Sequence, residues 1–224
     1  MEESWNIKGV DSYRDFFKKI IQNNNIFNKS YELTNNLCYN FQYLEFLTLV
    51  LQNELHEVVK KQTIKTYVVI GSSIIESLSE YYLYSTSEYR LNHWELKSET
   101  KGDIVTDNKE ELRTDTKTFR KLKTPVLGSM TYSSVNQKII SKKFFGENDE
   151  LYSLMEELRD LRNKIHLTNI RIDRDHDWNN FNSKVYDKTT KCLRELLKSS
   201  MFSSTTEELD ELFGFLKLKL PQKN

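Results

Sequence analysis

Proline and glycine are scarce in this chain, two and six among 224 residues. Proline breaks helices and glycine supplies the left-handed backbone of tight turns, so so few of either leave little room for a fold of many short strands. The abundant residues are Leu, Lys, Glu, Asn and Ser, and a mainly α helical bundle is the expectation. Cysteine is limited to Cys38 and Cys192, with no CxxC pair, which excludes a disulfide framework and a thiolate metal knuckle. Long apolar runs are missing too. Phe46 to Leu51 and Val68 to Ile75 fall far short of the roughly 20 residues that a membrane helix needs. The opening MEESWNIKGVDSYRDFF is acidic and polar, unlike a secretory leader, so a soluble protein of the reducing cytoplasm is expected. Neither sign of charge is in excess, with 33 Lys plus Arg against 33 Asp plus Glu, so any site for a polyanion must be local.

What is present is helical periodicity. Tyr13, Phe16, Phe17 and Ile20 space a short docking helix over 11–23. Leu37, Phe41, Leu44, Leu51 and Val58 hold one apolar stripe through 33–61. A second long helix over 64–83 is apolar around much of its circumference near Val68 to Ile75, which marks it as central. Gly71, Ser72 and Ser73 let a neighbour approach it closely despite the cost of helical glycine, about 1 kcal/mol. Glu76 falls in the most buried part of the same helix. From Ser85 the pattern changes. Polar and apolar residues alternate across 94–122, with turn signals at Lys101-Gly102-Asp103 and Asp107-Asn108, and predict a small β-hairpin or irregular insertion closed by Pro125 and Gly128. Helices resume over 133–145, 151–167 and 178–197. An accessory helix over about 203–216 is capped by Ser203, Ser204 or Thr205. The expected organisation is one domain, with a core of about 33–197 and an insertion of about 86–128.

Chemistry concentrates on Leu151 to Leu167, LYSLMEELRDLRNKIHL. Leu151, Leu154, Met155, Leu158, Leu161 and Ile165 form its apolar stripe. Arg159, Asn163 and His166 fall on a neighbouring stripe, with Arg162 at the margin. Arginine presents a planar fork of donors matched to phosphate oxygens, and histidine titrates near neutrality. Together they suit transesterification at a phosphodiester, with His166 moving a proton and the guanidiniums stabilising charge on the phosphorus oxygens. An RNA 2′-hydroxyl as nucleophile needs no metal. The same residues equally suit a structural role, in which the arginines pair with Glu76, Glu156 or Asp160 and His166 is a cation at a helix C-terminus.

The run LRDLRNKIHL, preceded by the helix YVVIGSSIIESLSEYYL, resembles the HEPN superfamily (higher eukaryotes and prokaryotes nucleotide-binding). The resemblance spans about 33–197 as helical order, and its specific part is the ten-residue run. Its members are compact helical bundles, often metal-independent RNases, whose signature is an Arg and a His separated by four to six residues, the first commonly polar. Arg162 is followed by Asn163 but stands only three residues short of His166, whereas Arg159 is followed by Asp160 and leaves six. Both arginines therefore remain candidates. The resemblance implies an endoribonuclease of a toxin or phage-defence type, without cofactor, acting as a homodimer whose two motifs face one cleft. It also implies that Glu76 orients an arginine, and it admits an antitoxin or other defence-system partner. The alternative is a non-catalytic helical module binding RNA, a nucleotide or a protein.

Between Asp115 and Glu147 the chain carries Lys117, Arg120, Lys121, Lys123, Lys138, Lys142 and Lys143 and no acid. This block reads as an RNA backbone-contact surface, with Phe119, Tyr132 or Phe144 for stacking, or else as a solvated loop and helix face. Asp173, Asp175 and Asp177 alternate as in a calcium loop, but Trp178 and Lys184 stand where its glycine and glutamate belong. His56, His93 and His176 lack zinc-ligand spacing, and phosphate-loop, dinucleotide and GxSxG motifs are absent. No metal site is expected.

Overall fold

The computed structural model describes residues 6–164, 177–202 and 205–221. The fold is mainly α with a small β insertion. The chain forms two compact units, a helical one from residues 1–87 and 131–224 and a β unit from 88–130.

In the helical unit, α1 (Val10–Ile20) buries Tyr13, Phe16 and Phe17. These rings meet Phe41 of α2 (Ser30–Gln52) and Phe213 of α8 (Thr206–Phe213); Phe41 and Phe213 lie 4.9 Å apart and Phe16 and Phe213 5.2 Å apart. One aromatic cluster thus fastens the first and last helices to α2. Glu45 sits beside it, 5% exposed, accepting from the Tyr13 hydroxyl at 2.9 Å and from the Lys8 backbone and ammonium at 2.9 and 3.0 Å.

The helix expected over 33–61 stops early. Asn53 adopts extended backbone, and its side-chain amide donates to the Leu49 carbonyl at 2.8 Å, competing with helical continuation. Val58, placed on the first stripe by spacing, belongs instead to α3 (Glu57–Ser85) and is 50% exposed. That helix starts a full two turns before Ile64. It packs against α2, α4 (Tyr132–Ser141), α5 (Asp149–Asn163), α6 (Asp177–Asn180) and α7 (Ser183–Leu197), so its central place is as expected. A Cβ on Gly71 would meet Thr189 Cγ2 of α7 at 2.6 Å, so this glycine is required by close approach. The next residue, Ser72, donates to the Leu158 carbonyl of α5 at 3.4 Å.

The helix expected over 178–197 is two helices. Asn182 caps α7 by accepting from the Lys184 and Val185 amides, and the short α6 is held to α3 by Lys61, whose ammonium lies 4.5 Å above the Trp178 ring. Thr205 caps α8, and a 3-10 turn (Gly214–Lys217) follows. Among the described residues, no helix is long and apolar enough to cross a membrane. Cys38 and Cys192 are buried free thiols.

The β unit consists of two antiparallel pairs. β1 (Leu91–Thr100) pairs with β4 (Thr116–Leu127), and β2 (Ile104–Asp107) pairs with β3 (Glu110–Arg113). Asn108 and Lys109 both have positive φ, 48° and 71°, the geometry of a tight two-residue hairpin turn. The strands run beyond the expected 94–122, and Pro125 lies inside β4 rather than closing it. It sits where the register against β1 jumps from Lys121 to Val126, a place where a missing N–H breaks no ladder bond.

Candidate active site

Asn148 caps α5, its side-chain oxygen accepting from the Leu151 amide at 3.3 Å, and the first turn carries Asp149 and Glu150 where negative charge is favoured. Leu151, Leu154, Met155, Leu158 and Leu161 are buried, as the spacing predicts. The helix ends at Asn163, with the Lys164 amide turning back to the carbonyls of Leu161 and Arg162. Ile165 to His176 lie outside the described residues, and with them His166, the titratable member of the candidate set, and the rejected calcium-like aspartates up to Asp175.

The two arginines at this end of α5 hold different partners. Arg159, with 18% of its side chain exposed, donates to Ser133 Oγ of α4 at 3.3 Å and pairs with Asp160 at 2.9 Å. Arg162 is more open, at 36%, and its Nη2 lies 3.4 Å from Glu76 Oε2 of α3. Its guanidinium carbon is 6.0 Å from the centroid of the Tyr132 ring. Asn163 is half-buried on the last turn.

Glu76 does not sit in the deepest part of α3. Its flanking residues Ile75 and Leu78 are fully buried, but 27% of its own side chain is exposed, because it points to the rim where α5 passes. Partial burial still raises its pKa, helped by the Glu80 carboxylate one turn away, and the Arg162 guanidinium opposes without cancelling this.

Tyr132 is the residue whose place in this site the sequence did not disclose. Named as a stacking surface, it is 7% exposed and cannot offer a ring face to a base. Burial pushes its phenol well above the usual range, reinforced by Cys192 and Glu76 and opposed by Arg162 and Arg159. Among the described residues its hydroxyl has no hydrogen-bond partner, and neither has the side-chain amide of Asn136 one helical turn on, which is fully buried. Polar residues on the buried side of a short helix were the available signal, since apolar spacing assigned that side to Val135, Ile139 and Ile140, and Ile140 is only half-buried.

The basic block is divided between the two units rather than forming one run. Lys117, Arg120, Lys121 and Lys123 lie on β4, whereas Lys138 lies on α4 and Lys142 and Lys143 just beyond it. Several of its charges are already answered. Lys117 is 3.4 Å from Glu99, Arg120 pairs with Glu95, and Lys143 pairs with Glu147 at 2.6 Å and Asp149 at 3.2 Å. Lys142 lies 5.6 Å over Phe144, which also packs on Tyr82. Lys121 and Lys123 have no ion-pair partner among the described residues. Phe119 is 52% exposed, so of the three expected stacking rings it is the open one.

A groove of about 740 Å³ lies elsewhere, between α5, α7 and the 3-10 turn. Its cations are spent on neighbouring acids, Lys191 on Glu150, Lys188 on Glu157, and Arg194 and Lys217 on Asp210. Among the described residues, no group of three or more His, Cys, Asp or Glu is placed to hold a metal ion. No family model, curated protein or solved structure matches this chain.

Proposed function

We propose that this chain is a metal-independent endoribonuclease of the HEPN type, a toxin or phage-defence effector that works in the cytoplasm as a homodimer with a composite site. The observation that supports the reading is the placing of Arg159 and Arg162 at the end of α5, where Arg162, with 36% of its side chain exposed, keeps an open face beside Glu76. His166 follows Arg162 by four positions in the sequence.

In the proposed reaction a base takes the proton of an RNA 2′-hydroxyl, and that oxygen attacks the adjacent phosphorus. The bond from phosphorus to the 5′-oxygen breaks, the leaving oxygen gains a proton, and a 2′,3′-cyclic phosphate remains. His166 transfers the proton, Arg162 and Arg159 stabilise charge on the non-bridging oxygens, Asn163 positions the phosphate and Glu76 orients Arg162. Buried free Cys38 and Cys192 suit a reducing compartment. An antitoxin or other defence-system protein is the partner this role implies.

A second reading, a non-catalytic module that binds RNA, a nucleotide or a protein, is favoured by the acids already beside both guanidiniums, Asp160 and Glu76. Cleavage of RNA by the purified protein in EDTA, set against His166→Ala, separates the two. Cleavage by the wild type and its loss in the variant are expected. Equal cleavage by both, or cleavage by neither, sinks the nuclease assignment.

A further inference from the structure

The ribbon formed by β1 and β4 carries two exposed aromatic rings that make no ring–ring contact among the described residues. Trp94 is 55% exposed and Phe119 52%. The register sets Trp94 opposite Lys121 and Leu96 opposite Phe119, and cross-strand partners share a face, so one face of the ribbon holds both rings diagonally, at about 7 Å, with Lys121 between strands. On β4 the period of two puts Lys117, Phe119 and Lys121 on that face, where Lys117 lies 3.4 Å from Glu99 and Lys121 has no ion-pair partner among the described residues. On the opposite face Arg120 is neutralised by Glu95, its cross-strand partner.

A two-stranded ribbon gains little by exposing a tryptophan, and a protein interface is typically depleted in lysine. Exposed rings set beside an unpaired cation are instead an arrangement that holds single-stranded nucleic acid, in which bases stack on the rings and a phosphate meets the ammonium group. A duplex hides its base faces and has nothing to offer Trp94. We infer that the Trp94–Phe119 face, with Lys121, is a binding platform for single-stranded RNA. The inference rests on the ribonuclease reading for its choice of RNA, and it adds Trp94 to the residues that contact substrate while removing Arg120 from them.

The test uses the full chain and a short labelled single-stranded RNA with 2′-O-methyl riboses, which cannot be cut by 2′-hydroxyl attack, so binding is read apart from chemistry. Fluorescence anisotropy should show wild type and His166→Ala binding alike. Trp94→Leu and Phe119→Leu should each weaken binding about tenfold, whereas Trp94→Phe, which keeps a ring face, should bind nearly as wild type. That contrast separates stacking from a folding defect. Lys121→Gln should reduce the slope of log affinity against log salt by about 0.7, and Arg120→Gln should leave it unchanged. Trp94→Leu binding like wild type overturns the platform, as does a duplex of the same sequence binding as tightly. A change in sedimentation mass of Trp94→Leu with RNA binding intact also overturns it and makes the face a protein interface. Binding as expected without any EDTA-resistant cleavage leaves the platform standing and removes the nuclease reading. Cleavage with Trp94→Leu binding unaltered does the reverse.

Discussion

Arg162 of α5 reaches Glu76 of α3 with Nη2 3.4 Å from Oε2, yet the carboxyl it faces is harder to ionise than a free one. Burial and Glu80 outweigh the guanidinium, and with 36% and 27% of their side chains exposed the two groups pair at a rim where solvent screens them. This geometry leaves Arg162 able to exchange its acid for another anion.

A pH signature follows from the raised pKa of Glu76. Folded Glu76 keeps its proton to higher pH than in the unfolded chain, where 4.5 applies, so between 4.5 and the folded value the native state binds more protons and stability falls as pH rises. Urea unfolding of the wild type and Glu76→Gln, from below pH 4.5 to neutrality, should show the wild type losing ground to the variant as pH increases. In Arg162→Ala the opposing guanidinium is gone, and the Glu76 carboxyl, followed by carbon NMR, should titrate at still higher pH. A fall or no movement would contradict the pairing.

Gly71 offers a test of packing. Alanine there improves helix propensity by about 1 kcal/mol, but its Cβ would lie 2.6 Å from Thr189 Cγ2. Thr189 is fully buried and its hydroxyl donates to the Val185 carbonyl at 2.8 Å, which holds its rotamer. Overpacking should win, so Gly71→Ala is expected to lose about 1 to 3 kcal/mol in chemical denaturation. Adding Thr189→Ser removes the obstructing methyl. The double variant should be more stable than the sum of the single changes allows.

Such contacts mark the boundary of what local pattern discloses. The central helix was readable because Val68 to Ile75 are apolar all round, and the hairpin because alternation and Asp107-Asn108 agree on strand and turn. The stop at Asn53 was not, because apolar spacing continued through Val58 while one side-chain amide ended the helix. At the candidate site the spacing set Arg159 on the stripe beside the apolar one and Arg162 at its margin, whereas Arg162 is the more open of the two, 36% exposed against 18%. Their partners on α3 and α4 are set by helix packing, which spacing along one helix does not contain. The charge run from Lys117 to Lys143 read as one patch because sequence does not register that Glu95 and Glu99 lie across a strand from Arg120 and Lys117.

Tyr132 should tolerate loss of its hydroxyl. The oxygen is buried with no partner among the described residues, so Tyr132→Phe removes an unsatisfied polar atom and keeps the ring beside Arg162. Thermal and denaturant unfolding should show stability unchanged or raised by up to about 1 kcal/mol. A loss of more than about 1 kcal/mol would mean that the hydroxyl has a partner, such as an ordered water also held by Asn136. If the phenol serves substrate rather than fold, the same variant should lose cleavage while keeping its stability.

Glu45 should be the costliest acid to remove. It is 5% exposed in the middle of α2 and gathers Tyr13, the Lys8 amide and the Lys8 ammonium onto two oxygens. Glu45→Ala would leave the Tyr13 hydroxyl buried without an acceptor and release the segment that leads into α1. One unsatisfied buried donor and a lost charge-assisted bond together amount to about 3 kcal/mol. Tyr13→Phe removes the donor as well as its bond, and should cost only about 1 kcal/mol. Combined with Glu45→Ala it should add less than its separate cost, because the orphaned hydroxyl is then absent. Additive losses in the double variant would show that Tyr13 and Glu45 act independently, contrary to the 2.9 Å bond between them.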